Sequence, residues 1–153
     1  MELVLWRHAD AEEGVLDAKR QLTDKGRKQA ARVARWLRPR LEGDWVILAS
    51  PAARAKQTAD ALDLDYDMRE TLGTGATEDA LLREAGWPDG ARNVIIVGHQ
   101  PTLGRVAARL LTGHVGELAI KKGAVWWFSG RHDKRAGLSE TVLRAVIAPD
   151  LAD

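Results

Sequence analysis

The stretch that decides the fold is Glu2-Leu3-Val4-Leu5-Trp6-Arg7-His8, an apolar run that breaks abruptly into a guanidinium and an imidazole. Near-continuous apolar character over so short a length predicts a strand, Glu2 to Trp6, buried on both faces of a parallel sheet. Side chains just beyond the carboxyl end of such a strand are where open α/β sheets place their chemistry. The pattern recurs at Asn93-Val94-Ile95-Ile96-Val97, which delivers Gly98-His99 in the same way. A third apolar run, Trp45-Val46-Ile47-Leu48-Ala49, leads into Ser50-Pro51 and a helical stretch carrying Arg54.

Between these strands lie helix signals. Thr23 is placed to cap a helix from Asp24 to about Arg38, stopped by Pro39. Ser50 as cap and Pro51 in the first turn predict a second helix to about Leu62. Leu64 to Met68 alternates as an edge strand would. Gly73 to Ala76 reads as a loop, Thr77 as the cap of a short helix through Glu84, and Pro88-Asp89-Gly90 as a turn. A further helix is expected from Pro101 to about Leu111, ended by Gly113. Ala124 to Ser129 and Thr141 to Ile147 are expected to pair as a hairpin across a loop from Gly130 to Ser139. The alternation predicts a three-layer α/β/α sandwich with a mostly parallel sheet and some antiparallel pairing, in one domain spanning 1–153.

Composition narrows the function. The 153 residues carry a formal charge of +1, so no global field favours nucleic acid or an anionic membrane, and any positive site is local. There is no cysteine, which removes disulfides, thiolate metal sites and thiol nucleophiles and fits a cytoplasmic protein. No run of about 18 apolar residues is present, and neither a nucleic-acid nor a membrane partner is expected.

Taken singly, each polar residue has a plain explanation: a histidine after a strand anchors a loop, and Arg54 belongs to a helix surface. Together, two histidines and two arginines at the ends of neighbouring strands would suit a phosphoryl group. Arg forks fit its oxygens, and a neutral imidazole is a competent nucleophile. On spacing alone, the structural and the catalytic readings stand about level.

Four segments then carry a resemblance. Leu5-Trp6-Arg7-His8-Ala9-Asp10-Ala11 resembles the Arg-His-Gly signature of the histidine phosphatase superfamily, also called phosphoglycerate-mutase-like. Its Ala after His is similar to the small bacterial branch typified by the phosphohistidine phosphatase SixA. Arg20-Gln21-Leu22-Thr23-Asp24-Lys25-Gly26, Ser50-Pro51-Ala52-Ala53-Arg54-Ala55-Lys56-Gln57-Thr58 and Val97-Gly98-His99-Gln100-Pro101 resemble further segments of that branch. The resemblance implies that His8 is the phosphorylated nucleophile, that Arg7, Arg54 and His99 complete the phosphate pocket, and that Arg20 lies near it. It implies a metal-independent phosphatase without a cofactor, acting on phosphohistidine in a protein such as a histidine-phosphotransfer domain. Ala9 replaces a glycine of the wider pattern, which requires ordinary backbone angles there.

Release of an alkoxide needs a general acid. Glu78 and Asp79 are the candidates, ahead of Glu70 and Asp10; as helix-start charges they also have a purely structural explanation. A phosphohistidine substrate relaxes the need, because imidazole can be protonated near neutral pH. The alternatives are a small-molecule phosphomonoesterase acting on a small phosphorylated molecule, a metal-dependent hydrolase using His8, Asp10 and His99, a dinucleotide-binding domain on Gly73-x-Gly75, and a non-catalytic phosphate-binding module. His114 and His132 are given no role, and Trp87 is a candidate border of the substrate site.

Overall fold

The computed structural model describes residues 1–153. Six strands form one sheet: β1 (Glu2–Arg7), β2 (Trp45–Ala49), β3 (Asp67–Met68), β4 (Asn93–Gly98), β5 (Val125–Asp133) and β6 (Leu138–Ile147), in the spatial order β3-β2-β4-β1-β5-β6. β3, β2, β4 and β1 run parallel, while β5 lies antiparallel to β1 and β6 to β5. The expected α/β/α class with mixed pairing is what the chain adopts.

Alternation along each strand builds the two cores. Val4 and Trp6 face one side with Ile47, Ala49, Ile95 and Val97, covered by α1 (Asp24–Leu37) and α2 (Ala53–Asp60) through Val33, Leu37, Ala55 and Ala59. Leu3 and Leu5 face the other with Leu48, Val94 and Ile96, covered by α3 (Glu78–Ala85) and α4 (Thr102–Thr112) through Leu81, Ala85, Leu103 and Val106. Period-two side chains of a doubly covered strand feed both layers, which is why these strands read as unbroken apolar runs.

Several boundaries moved. Thr23 does cap α1, its hydroxyl accepting from the Gly26 N–H at 3.0 Å, and Thr77 caps α3 likewise. Ser50 does not cap α2. Ala52 occupies the cap position with no side-chain hydrogen bond, so Pro51 lies outside the first turn, and the helix ends at Asp60 rather than Leu62. The edge strand is reduced to Asp67–Met68. The hairpin is longer than expected: β5 and β6 extend to Asp133 and from Leu138, leaving a tight connection in which Asp133 Oδ1 accepts from the backbone of Arg135 and Ala136. Polar residues from Gly130 to Ser139 read as loop, but an outward-facing ladder tolerates them. Trp87 is remote from the sheet edge that carries His8. Its ring packs where a Cβ on Gly130 would stand, level with Met1 at the opposite end of β1, because the hairpin folds back to the start of the chain.

Candidate active site

His8 follows the last residue of β1, and its N–H donates to the Gly98 carbonyl at the matching end of β4, 3.1 Å away. Adjacent parallel strands therefore place His8 and His99 at one level. Their ring centroids are 5.2 Å apart with the planes tilted by 55°. Ser50, at the end of β2, donates its N–H to the Val97 carbonyl and brings its hydroxyl to 2.7 Å from His99 Nε2. The serine expected to cap a helix instead holds the second histidine.

The loop after β1 is pinned from several directions. The Ala9 N–H donates to Thr58 Oγ1 at 3.1 Å, and that hydroxyl donates to the Arg54 carbonyl at 2.7 Å. The Asp10 N–H donates to Gln29 Oε1, and the Leu22 N–H to Gln57 Oε1. Gln57 and Thr58 thus tie α2 to the loop after β1. A Cβ on Gly26 would lie 2.0 Å from the Asp10 carbonyl oxygen, so glycine lets α1 approach that loop. Ala9 is not among the residues with positive φ, so its replacement of glycine carries no backbone strain.

The His8 ring is oriented by its neighbour. Its Nδ1 lies 2.8 Å from the Ala9 carbonyl oxygen. A carbonyl can only accept, so Nδ1 carries the proton and Nε2 keeps the free electron pair. Burial lowers the His8 pKa to about 4, reinforced by the positive charges of Arg54 and Arg7 and opposed by the Ala9 hydrogen bond. Burial, followed by His8 and Arg54, lowers that of His99 to about 3. Both imidazoles are neutral at pH 7. A cationic role for His99 therefore requires a bound anion to restore its proton.

Arg7 and Arg54 flank the pair. Arg7 Nη1 donates to the Ile120 carbonyl at 2.7 Å. Arg54, with a side chain only 5% exposed, donates from Nη1 to the Asp17 carbonyl at 2.8 Å and from Nη2 to Asp17 Oδ2 at 3.1 Å. The Nε–H of each arginine is buried without an acceptor. An unpaired buried donor costs free energy, so each arginine holds one N–H that the chain itself leaves unsatisfied. Arg20 joins through Asp17: its Nη1 reaches Asp17 Oδ1 at 3.1 Å and its Nε donates to the Glu12 carbonyl at 2.6 Å. Asp17 was missed in the sequence; its spacing three residues before Arg20 was the only signal.

Of the carboxylates expected as acids, Asp79 and Asp10 are held by cationic side chains. Asp79 Oδ1 accepts from Arg109 Nη1 at 2.6 Å on an exposed face, and that contact holds its pKa below the usual carboxylate range. Asp10 accepts from Thr23 at 2.8 Å and Lys122 at 3.0 Å, which likewise lower its pKa. Glu78 is half-buried in the first turn of α3, and Glu70 is exposed in the short turn before it. His8, Asp10 and His99 do not converge as ligands, and no trio of His, Asp or Glu side chains stands close enough to hold a metal ion. No helix is long and apolar enough to cross a membrane.

Residues 3–89 match the family model of the histidine phosphatase superfamily (branch 1). The chain is 33% identical over 141 residues, covering 82% of each sequence, to an uncharacterized protein of Picosynechococcus sp.. It is 31% identical over 128 residues to a phosphohistidine phosphatase SixA homolog of Haemophilus influenzae, covering 72% of this chain and 77% of that one. Among solved structures, a candidate phosphohistidine phosphatase SixA from Nakamurella multipartitia superposes with a TM-score of 0.80 at 27% identity, over 97% of this chain and 95% of the other. A mycobacterial glucosyl-3-phosphoglycerate phosphatase shares the fold with a TM-score of 0.67 at 20% identity, over 94% and 96%. On the strength of the family match and the SixA-like architecture, this chain belongs to the histidine phosphatase superfamily and is a phosphatase of its SixA-like group.

Proposed function

We propose that the protein removes the phosphoryl group from a phosphohistidine borne on another protein, through a covalent phosphohistidine at His8. The observation that supports this reading is the state of three aspartates of the chain. Asp10, Asp17 and Asp79 are each held by cationic partners with pKa values below the usual carboxylate range. A carboxyl that stays ionised cannot donate the proton an alkoxide needs. An imidazole leaving group, with a reference pKa of about 6.5, takes its proton from solvent.

In the first step the substrate ring takes a proton from solvent on its free nitrogen, His8 Nε2 attacks phosphorus in line, and the bond from phosphorus to that ring breaks with its electron pair leaving on a neutral imidazole. Positive charge then grows on the His8 ring, where the Ala9 carbonyl on Nδ1–H stabilises it. Arg7, Arg54 and His99 contact the equatorial oxygens, on which the charge is spread. In the second step water attacks phosphorus, the bond to His8 Nε2 breaks, and inorganic phosphate departs. Arg20 acts through Asp17, steadying the carboxylate that contacts Arg54.

A phosphomonoesterase acting on small molecules is the second reading, and one contact favours it. Thr102 Oγ1, three residues after His99, donates to the Ala76 carbonyl at 2.7 Å and brings the start of α3, with Glu78, against the start of α4. Incubation with a phosphorylated histidine-phosphotransfer domain separates the readings. Wild type is expected to release phosphate and His8→Ala to release none. Rapid hydrolysis of an unactivated alkyl phosphate, with no release from the phosphoprotein, would overturn the first reading in favour of the second.

A further inference from the structure

Beside the candidate active site runs an open groove of about 800 Å³ lined mainly by cationic side chains. Lys25, Lys28 and Arg32 line it from α1, Lys121 and Lys122 from the segment before β5, and Arg7 closes the end nearest His8. Asp150 is the single carboxylate, leaving a formal +5 on a chain whose net charge is +1. Lys122 is paired with Asp10 and Arg32 with Asp153, whereas Lys25, Lys28 and Lys121 have no ion-pair partner. The segment that holds Arg7 also builds the groove. Ile120 accepts from the Arg7 guanidinium, and the Gly123 N–H is shared between the Arg7 and His8 carbonyls, so Lys121 and Lys122 are carried to the mouth of the phosphate site.

Cations three, four and seven residues apart on one helix face repel one another by a few tenths of a kcal/mol per pair. Lys25, Lys28 and Lys121, left without ion-pair partners on this face, suit a counter-charge supplied by a partner. From Lys25 to Arg32 the row extends about 10 Å along the helix axis, too far for one phosphoryl group. The opposite flank of the site shows what kind of partner. Val15, 101% exposed, and Leu16, 63% exposed, stand in solvent on the loop that Asp17 fastens to Arg54. Adjacent exposed apolar side chains match the make-up of a protein interface, and a simple polyanion would leave them unused.

Building on the phosphohistidine reading above, we propose that this groove docks a carboxylate-rich face of the protein that carries the phosphohistidine. The apolar loop tip at Val15-Leu16 packs on the same partner and the phosphorylated ring sits over His8. Complementary charge raises the rate of encounter more than the strength of the final complex, and salt screens it.

The test compares wild type with a Lys25→Glu/Lys28→Glu double variant on a phosphorylated histidine-phosphotransfer domain bearing an acidic face. Both positions are exposed in the first turns of α1, where glutamate favours the helix, and an unchanged Tm verifies folding. At ~50 mM salt kcat/KM on the phosphoprotein is expected to fall ~10-fold or more, and at ~500 mM salt the two proteins are expected to converge. With para-nitrophenyl phosphate, too small to span the groove, the change is expected to stay within about two-fold. Val15→Ser/Leu16→Ser is expected to lower phosphoprotein turnover to a similar extent at both salt concentrations. Equal phosphoprotein turnover by wild type and the double variant at low salt would overturn the docking proposal and leave the phosphohistidine reading standing. Hydrolysis of inorganic polyphosphate that depends on Lys25 and Lys28, with phosphoprotein turnover indifferent to them, would reassign the groove to a polyanion. Failure of wild type to act on the phosphoprotein at all would overturn both.

Discussion

Asp17 Oδ2 lies 3.1 Å from Nη2 of Arg54, so a carboxylate already occupies one fork of a guanidinium that faces His8. The pair links the polar loop after β1 to α2 across 37 residues of chain. The negative charge of Asp17 opposes any second anion at Arg54 and weakens the hold on inorganic phosphate, the product. Asp17→Asn keeps the shape and removes the charge. Inhibition by phosphate is expected to tighten by about 1 kcal/mol, roughly five-fold, with little change in Tm because the aspartate is largely exposed. Competitive inhibition constants measured at pH 7 check this, and a weaker hold on phosphate in the variant would show that Asp17 instead helps to position the arginine.

Stability is expected to fall as the solution is acidified from about pH 6.5 toward pH 4. The pKa values of His8 and His99 drop from 6.5 to about 4 and about 3 on folding. Across that window the unfolded chain binds protons that the native protein refuses, so the stabilisation is complete above the unfolded pKa and drains away below it. Urea midpoints at pH 7 and pH 5 are expected to differ more for wild type than for His8→Asn/His99→Asn. Parallel curves would mean that other groups set the pH dependence.

Ser50 is fully buried between His99 Nε2 and the Ala52 N–H. Ser50→Ala removes both contacts. A loss of about 1 kcal/mol of stability is expected, with kcat reduced several-fold as the His99 ring loses its orientation. Ser50→Thr, which keeps the hydroxyl, is expected to recover more of kcat than Ser50→Ala. Chemical denaturation and steady-state kinetics together distinguish this from a fault of folding alone, which would leave the kcat of the folded fraction intact.

Gly26→Ala places a methyl group 2.0 Å from the Asp10 carbonyl oxygen, which is backbone and cannot swing aside. Alanine is ordinarily the better helix former by about 1 kcal/mol, so a propensity argument predicts stabilisation. The opposite is expected: a loss of roughly 1–3 kcal/mol and a displaced nucleophile loop, read as a lower Tm together with lower activity. A gain in Tm would show that the contact between α1 and that loop relaxes freely.

Much of the architecture was legible because it depends on short-range pattern. The apolar runs that became β1, β2 and β4 are buried on both faces, so their sequences carry no polar interruption, and each ends where Arg7-His8, Ser50 and Gly98-His99 begin. Thr23, Thr77 and Gly113 were readable as helix limits because capping is local. The loop expected over Gly130 to Ser139 failed because ladder pairing between β5 and β6 overrides polar composition in a hairpin with an exposed face.

What the amino-acid sequence determined by itself was the class of the sheet and the two histidines delivered to its edge, since burial periodicity and strand ends need no knowledge of distant partners. The tertiary structure alone decided that Ser50 serves His99 rather than a helix, that Asp17 sits on Arg54, and that Lys121 and Lys122 meet Lys25 and Lys28 in one groove. Those pairings join segments tens of residues apart, and only the spatial order of the strands brings them within reach.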